Sequence, residues 1–298
     1  MKSDRTGKIP KELRISLYFI LIIILLSWPV LFLVDGWIAP NLMDSGNSVR
    51  AIFLILLTHA FAMFGPAISS IILMKRMNDK SFLKWKWSKP KYYIIALIIL
   101  VLIWVTPALI SFLFYDSLEL RSSIKMYQWI YMISYLIIVY FSAIGEETGW
   151  SAFLLTLLTE KYGRTKSTII SGFYRGVWHL PFLVSPLLYK VILGETTVIV
   201  LLLMSVVFLI QLIISNILYG SIFAFTWYKT KSLPLMGWIH YIFDLLRDFI
   251  VFFIIGYSTN VFFKFGWAIP FYFIAYYFLM QIAKEEKITN LFQLNIRN

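Results

Sequence analysis

Apolar residues in this chain come in long blocks rather than in alternation. Ile15 to Val34 is almost unbroken, and comparable blocks follow at 51–74, 93–115, 127–158, 168–189, 196–227, 234–256 and 262–283. A helix needs roughly 20 apolar residues to cross a bilayer. The pattern therefore predicts an all-α, polytopic transmembrane bundle of about eight helices. Trp37, Trp85, Trp87, Tyr115, Trp129, Tyr189, Trp227 and Trp267 lie near block ends, where interfacial aromatic belts belong. The first block is too long for a signal peptide and lacks a small-x-small cleavage site, so it is expected to be retained. Pro181 frees the Val177 carbonyl and predicts a bend just after His179.

Composition agrees: 60% hydrophobic and 14% charged residues exclude an ordinary soluble domain. The absence of cysteine removes disulfides, thiolate nucleophiles and Cys-held metal. A net charge of +12 raises the question of nucleic acid, but no basic tract accompanies a nucleic-acid module, and no such partner is expected. The charge instead follows topology. With the N-terminus inside, twenty basic residues fall in the tails and cytoplasmic loops, against Arg50, Arg121, Lys125, Lys190 and Lys264 outside. The positive-inside rule then places the chain in the cell membrane with both termini cytoplasmic. The segment 75–91, with Trp85 and Trp87, is expected to lie on anionic lipid.

Acids, histidines and arginines inside the blocks are few: Glu146, Glu147, His59, His179, His240, Asp244, Asp248, Arg175 and Arg247. A carboxylate at the centre of a spanning helix costs roughly 2.5–3.5 kcal/mol on insertion scales. Two adjacent ones require a reason. At about 1.5 Å per residue, Glu146 lies roughly 22 Å from Lys161, His179 roughly 20 Å from Lys166, and His240 and Asp244 roughly 14 and 20 Å from Lys231. Three helices thus bring ionisable groups to one level, where polar residues face the interior and pair. His240 and Asp244 share a helix face, as do Arg175 and His179. Gly145-x-x-x-Gly149 and Gly172-x-x-x-Gly176 suggest close contact between the helices carrying these groups. His59 is expected to be hydrogen-bonded within its own helix, and Asp244, Arg247 and Asp248 to form a structural ion-pair cluster.

Such a group suits water activation, since a carboxyl in an apolar cavity can act as general base near neutrality. Histidines opposite it can hold the water, stabilise the oxyanion or bind zinc. The zincin pattern His-Glu-x-x-His is absent, so a metal would be held across helices, and the residues leave metal- and carboxylate-activated water both open.

Gly145-Glu146-Glu147-x-Gly149-Trp150, Trp178-His179-Leu180-Pro181 and His240-x-x-x-Asp244, in this order on separate blocks, resemble the CAAX prenyl endopeptidase and bacteriocin-processing family of intramembrane proteases. The resemblance runs from about 127 to 257. It implies Glu146 as the residue that activates water, Glu147 as its support, His179 and His240 as the motif histidines, and Asp244 at the last motif position. It also implies a membrane-associated protein or peptide as substrate, with the metal disputed in the family. The chain then divides into a cytoplasmic basic tail (1–14), N-terminal transmembrane helices (15–126), a protease core (127–257), and a last transmembrane helix with a cytoplasmic tail (258–298).

Two positions depart from the family pattern. The arginine usual four residues after the second glutamate is Ser151, and the aromatic usual four residues before the first histidine is Arg175. One change is expected to answer the other, with Arg175 pairing with Glu147 across helices. The alternative is a catalytically inactive member acting as a membrane scaffold or immunity protein. A proton-coupled transporter is disfavoured by the lack of internal repeats.

Overall fold

A computed structural model describes residues 10–79, 81–82, 85–115, 126–249 and 268–297. The described residues form eight helical rods. The first runs through α1 (Lys11–Leu33), a π-helical turn at Val34–Ile38, and α2 (Ala39–Asp44). Then come α3 (Ser48–Met77) and α4 (Pro90–Tyr115). The fourth rod joins α5 (Met126–Glu147), a π-helical segment at Thr148–Leu155, and α6 (Thr156–Tyr162). The fifth joins α7 (Arg164–Trp178) and α8 (Leu180–Ile192); α9 (Val198–Thr230), α10 (Leu233–Phe249) and α11 (Ala268–Arg297) complete the set. The expected all-α bundle is the observed one. The helical end at 268–297 extends well beyond the apolar block into the polar tail, while 116–125, 250–267 and the Asp248 side chain lie outside the described residues.

Among the described residues, three helical stretches are long and apolar enough to cross a membrane: Lys11–Asp44, Phe53–Met77 and Val198–Thr230. The helices α7 and α10 are more strongly amphipathic, and they bury Arg175, His240 and Asp244. Large apolar side chains cover the outside, among them Leu25, Ile199, Leu202, Val206 and Phe273. A chain solvated by lipid gains no hydrophobic drive between helices and depends on close packing and interhelical hydrogen bonds.

Those bonds follow from local sequence. Pro66 has no N–H for the Ala62 carbonyl, and the Ser27 hydroxyl donates to it instead, at 3.4 Å. Ser69 donates to the Phe19 carbonyl at 2.9 Å and Ser221 to the Ala275 carbonyl at 2.6 Å, stapling α3 to α1 and α9 to α11. At the other end of α7, Glu286 accepts from the backbone N–H groups of Arg164 and Thr165, at 3.1 and 2.9 Å. A carboxylate from α11 therefore caps the helix that carries Arg175.

Two large apolar clusters result, beside a small one at Val34, Ala39 and Ala51. One gathers Phe19, Trp150, Phe153, Leu154, Leu158 and Trp178; the other gathers Trp104, Phe223, Trp227, Leu235, Met236 and Ile239. The buried charges sit between them.

Candidate active site

Glu146 and Glu147 end α5, where the chain passes into π-helix. A π segment widens the turn, is uncommon, and is frequent at functional sites. All eight of its residues are buried. Its second residue, Gly149, lies against Pro66 so tightly that no β-carbon would fit, and this holds the acids close to α3.

The two acids have different surroundings. Glu147 is fully buried and both its oxygens are occupied. Oε1 accepts from Arg175 Nη2 at 2.7 Å and lies 3.0 Å from His240 Nδ1, while Oε2 accepts from the Ser151 hydroxyl. Three elements thus converge on one carboxylate. The expected exchange is present: Arg175 reaches across from α7 and Ser151 fits beneath. The guanidinium also stacks near the Trp150, Phe223 and Tyr219 rings, at 5.6, 5.2 and 6.0 Å. Breaking such a buried pair typically costs roughly 3–5 kcal/mol.

Glu146 is 2% exposed, and its Oε2 is buried without a hydrogen-bond partner. No hydrogen bond joins it to either histidine, although it lies within electrostatic range of His240, Arg175, Glu147 and Asp244. Consecutive helical residues point about 100° apart, so one acid can be locked while its neighbour stays open.

His240 is held from both sides. Its Nδ1 meets Glu147, and its Nε2 lies 3.4 Å from Asp244 Oδ2, itself 3.0 Å from Arg247 Nη1 through the other oxygen. Asp244 and Arg247 therefore do pair, as the sequence suggested. His179 sits where α7 breaks into α8. Pro181 shifts the local bonding so that Phe182 N–H donates to the His179 carbonyl, at 3.2 Å. The Trp178 carbonyl is released and accepts from the Trp28 indole at 3.2 Å. His179 Nδ1 donates to the Arg175 carbonyl at 2.7 Å, which leaves Nε2 as the nitrogen available to a ligand.

Two expectations are corrected. His59 does not bond within its own helix: its Nε2 lies 2.8 Å from Asp35 Oδ2 in the first rod, and its ring packs on Phe182. Asp35 went unremarked because it falls one residue beyond the first apolar block; an acid in the next helical turn could have flagged it. The glycine motifs also meet other partners. Gly145 and Gly149 face Phe64 and Pro66 of α3, and Gly172 and Gly176 face the α9 backbone at Ile217 and Ile213.

A zinc site would need three or more convergent donors. Among the described residues no three His, Asp or Glu side chains gather in that way. His240 has its nitrogens turned to Glu147 and Asp244, and Glu147 is fully engaged, so this donor set does not fit zinc.

Fold and site together define a helical membrane protein whose ionisable groups, drawn from separate helices, surround one carboxyl oxygen left open. Residues 128–246 match the family described as type II CAAX prenyl endopeptidase Rce1-like. This segment, similar to a membrane-embedded family of CAAX-type endopeptidases, holds Glu146, Glu147, Ser151, Arg175, His179, His240 and Asp244. No curated protein matches the chain.

Proposed function

We propose that this protein is an intramembrane endopeptidase that hydrolyses a peptide bond of a membrane-associated protein or peptide, with Glu146 as general base. The observation that carries this reading is the inequality of the two acids. Every oxygen of Glu147 is engaged, whereas Glu146 Oε2 is buried with nothing bonded to it. A general base must have an oxygen open to the water it deprotonates.

In this mechanism Glu146 takes a proton from water as the oxygen attacks the scissile carbonyl, and later delivers it to the leaving amine. His179 Nε2, set by the Nδ1 bond to Arg175, orients the water. His240, whose nitrogens face Glu147 and Asp244, acts on the charge developing at the carbonyl oxygen through its field and not through a free N–H. Asp244 is a positioning residue for that ring. Charge asymmetry of the loops supports a cytoplasmic location for both termini.

Comparison of peptides released from membranes carrying wild type or Glu146→Ala tests this reading. Release of a defined set by wild type and its loss in the folded variant is the expected result. Identical peptide sets refute it. An inert scaffold would in addition keep its cellular phenotype in Glu146→Ala.

A further inference from the structure

Hydrolysis consumes one water per bond, and the acids lie deep in the bundle, so water must reach them by some route. Beside Glu147 is a small chamber of about 10 Å³, lined in part by Ser151, Thr168, Ser171, Arg175, Gly220 and Phe223. One water needs roughly 10–15 Å³ and two to four polar partners. The Arg175 side chain is only 4% exposed, and its second terminal nitrogen, Nη1, is buried with no hydrogen-bond partner. A buried charged donor left unsatisfied is costly, more so than a neutral one. The chamber has the size, the donor and the hydroxyls for one water.

Its place along α7 adds a second observation. Arg164, Thr168, Ser171, Arg175 and His179 recur every three or four residues and so lie on one face. Thr168, Ser171 and Arg175 are buried, while Arg164 is 39% exposed at the helix start. Facing residues are polar as well: Thr159 bonds the Tyr228 hydroxyl at 3.0 Å, and Thr156 accepts from the Trp227 indole at 3.0 Å. A polar seam thus runs about 16 Å, eleven residues of helix, from the exposed end of α7 to the chamber.

We propose that the chamber beside Arg175 binds one water, held by Nη1 and the Ser171 and Ser151 hydroxyls, and is the inner station of a water-supply route along this face of α7. The route rests on the hydrolase reading; the water site does not.

Gly220 supplies a clean variant. A β-carbon there meets nothing closer than the Gly172 Cα, at 3.8 Å, so Gly220→Ala adds one methyl to the chamber wall without a clash. Alanine also favours the α9 helix over glycine. The probe is water itself: pulsed radiolysis of the full-length protein in ¹⁸O-water, with oxygen incorporation read by mass spectrometry. Hydroxyl radicals formed at a bound water label aromatic rings beside it even when these are buried.

Trp150 and Phe223, 1% and 2% exposed, are expected to be labelled in wild type and to lose label in Gly220→Ala. Phe153, equally buried but away from the chamber, stays unlabelled, and exposed Trp85 and Trp87 label in both proteins. If Gly220→Ala does not purify folded, Ser171→Val fills the same space from α7. No label at Trp150 and Phe223 in wild type, or equal label in both proteins, overturns the water site. Turnover of a substrate found in the membrane comparison is expected to fall in kcat, with KM unchanged, when the chamber is filled. Unchanged kcat overturns the supply route. Absence of cleavage by wild type would remove the hydrolase reading and the route with it, while the labelling result still decides the water site.

Discussion

Two neighbouring glutamates in one apolar helix would be a liability unless their surroundings differed. Glu147 is matched by Arg175, Ser151 and His240, while Glu146 keeps an oxygen open. The Arg175 pairing has a direct consequence. Arg175→Ala leaves a buried, unmatched carboxylate and is expected to destabilise the fold by roughly 3–5 kcal/mol, measured as a lowered thermal midpoint in detergent. Adding Ser151→Arg to that variant is expected to restore much of the loss; two independent, non-rescuing losses would show that the positions do not exchange. This pairing was legible in the sequence, because two departures from one pattern lay on adjacent helices at matching depth. The difference between Glu146 and Glu147 was legible only as a role implied by resemblance. Which carboxyl is locked depends on helix rotation, and the π-helical segment after Glu147 sets that rotation without any local residue signal.

At the scale of elements, the sequence located the helices and the level of the polar groups but not which faces meet. Depth follows from counting along one axis, whereas rotation and neighbour choice come from packing. The glycine motifs illustrate this: both mark close crossings, yet neither joins α5 to α7. Gly176 stands where a β-carbon would come 2.6 Å from the Ile213 Cα, backbone that cannot swing aside. Gly176→Ala is therefore expected to separate α7 from α9 and cost about 1–3 kcal/mol, like other overpacked sites. Thermal unfolding of Gly176→Ala beside Gly220→Ala checks this, since Gly220 has room for the methyl. Equal stability of the two would show that α9 does not approach as closely as described. His59 is a similar case. Its partner Asp35 sits on another rod, in a π-helical turn that continues a helix past the end of its apolar block.

Across the whole molecule, apolar side chains face outward and the ionisable groups lie between two apolar clusters. The family match covers the part that holds the site, while the first two rods brace it: Gly149 leans on Pro66, and Trp28 binds the carbonyl freed beside His179. Loop charge predicts that protease-accessible tags at both ends are cleaved only after the cytoplasmic face is exposed; cleavage of either tag from outside intact cells would reverse the topology.

The proposed division of duties between Glu146 and Glu147 is tested most directly by a paired measurement: cleavage rate and thermal midpoint of purified Glu146→Gln and Glu147→Gln beside wild type. Glu146→Gln is expected to lose cleavage by at least about 10²–10⁴-fold, the usual worth of a general base, with its midpoint held or raised. Glu147→Gln is expected to lower the midpoint, since it strips the charge that Arg175 and His240 are built around. A Glu146→Gln enzyme that still cleaves, or one that unfolds while Glu147→Gln does not, would contradict the assignment.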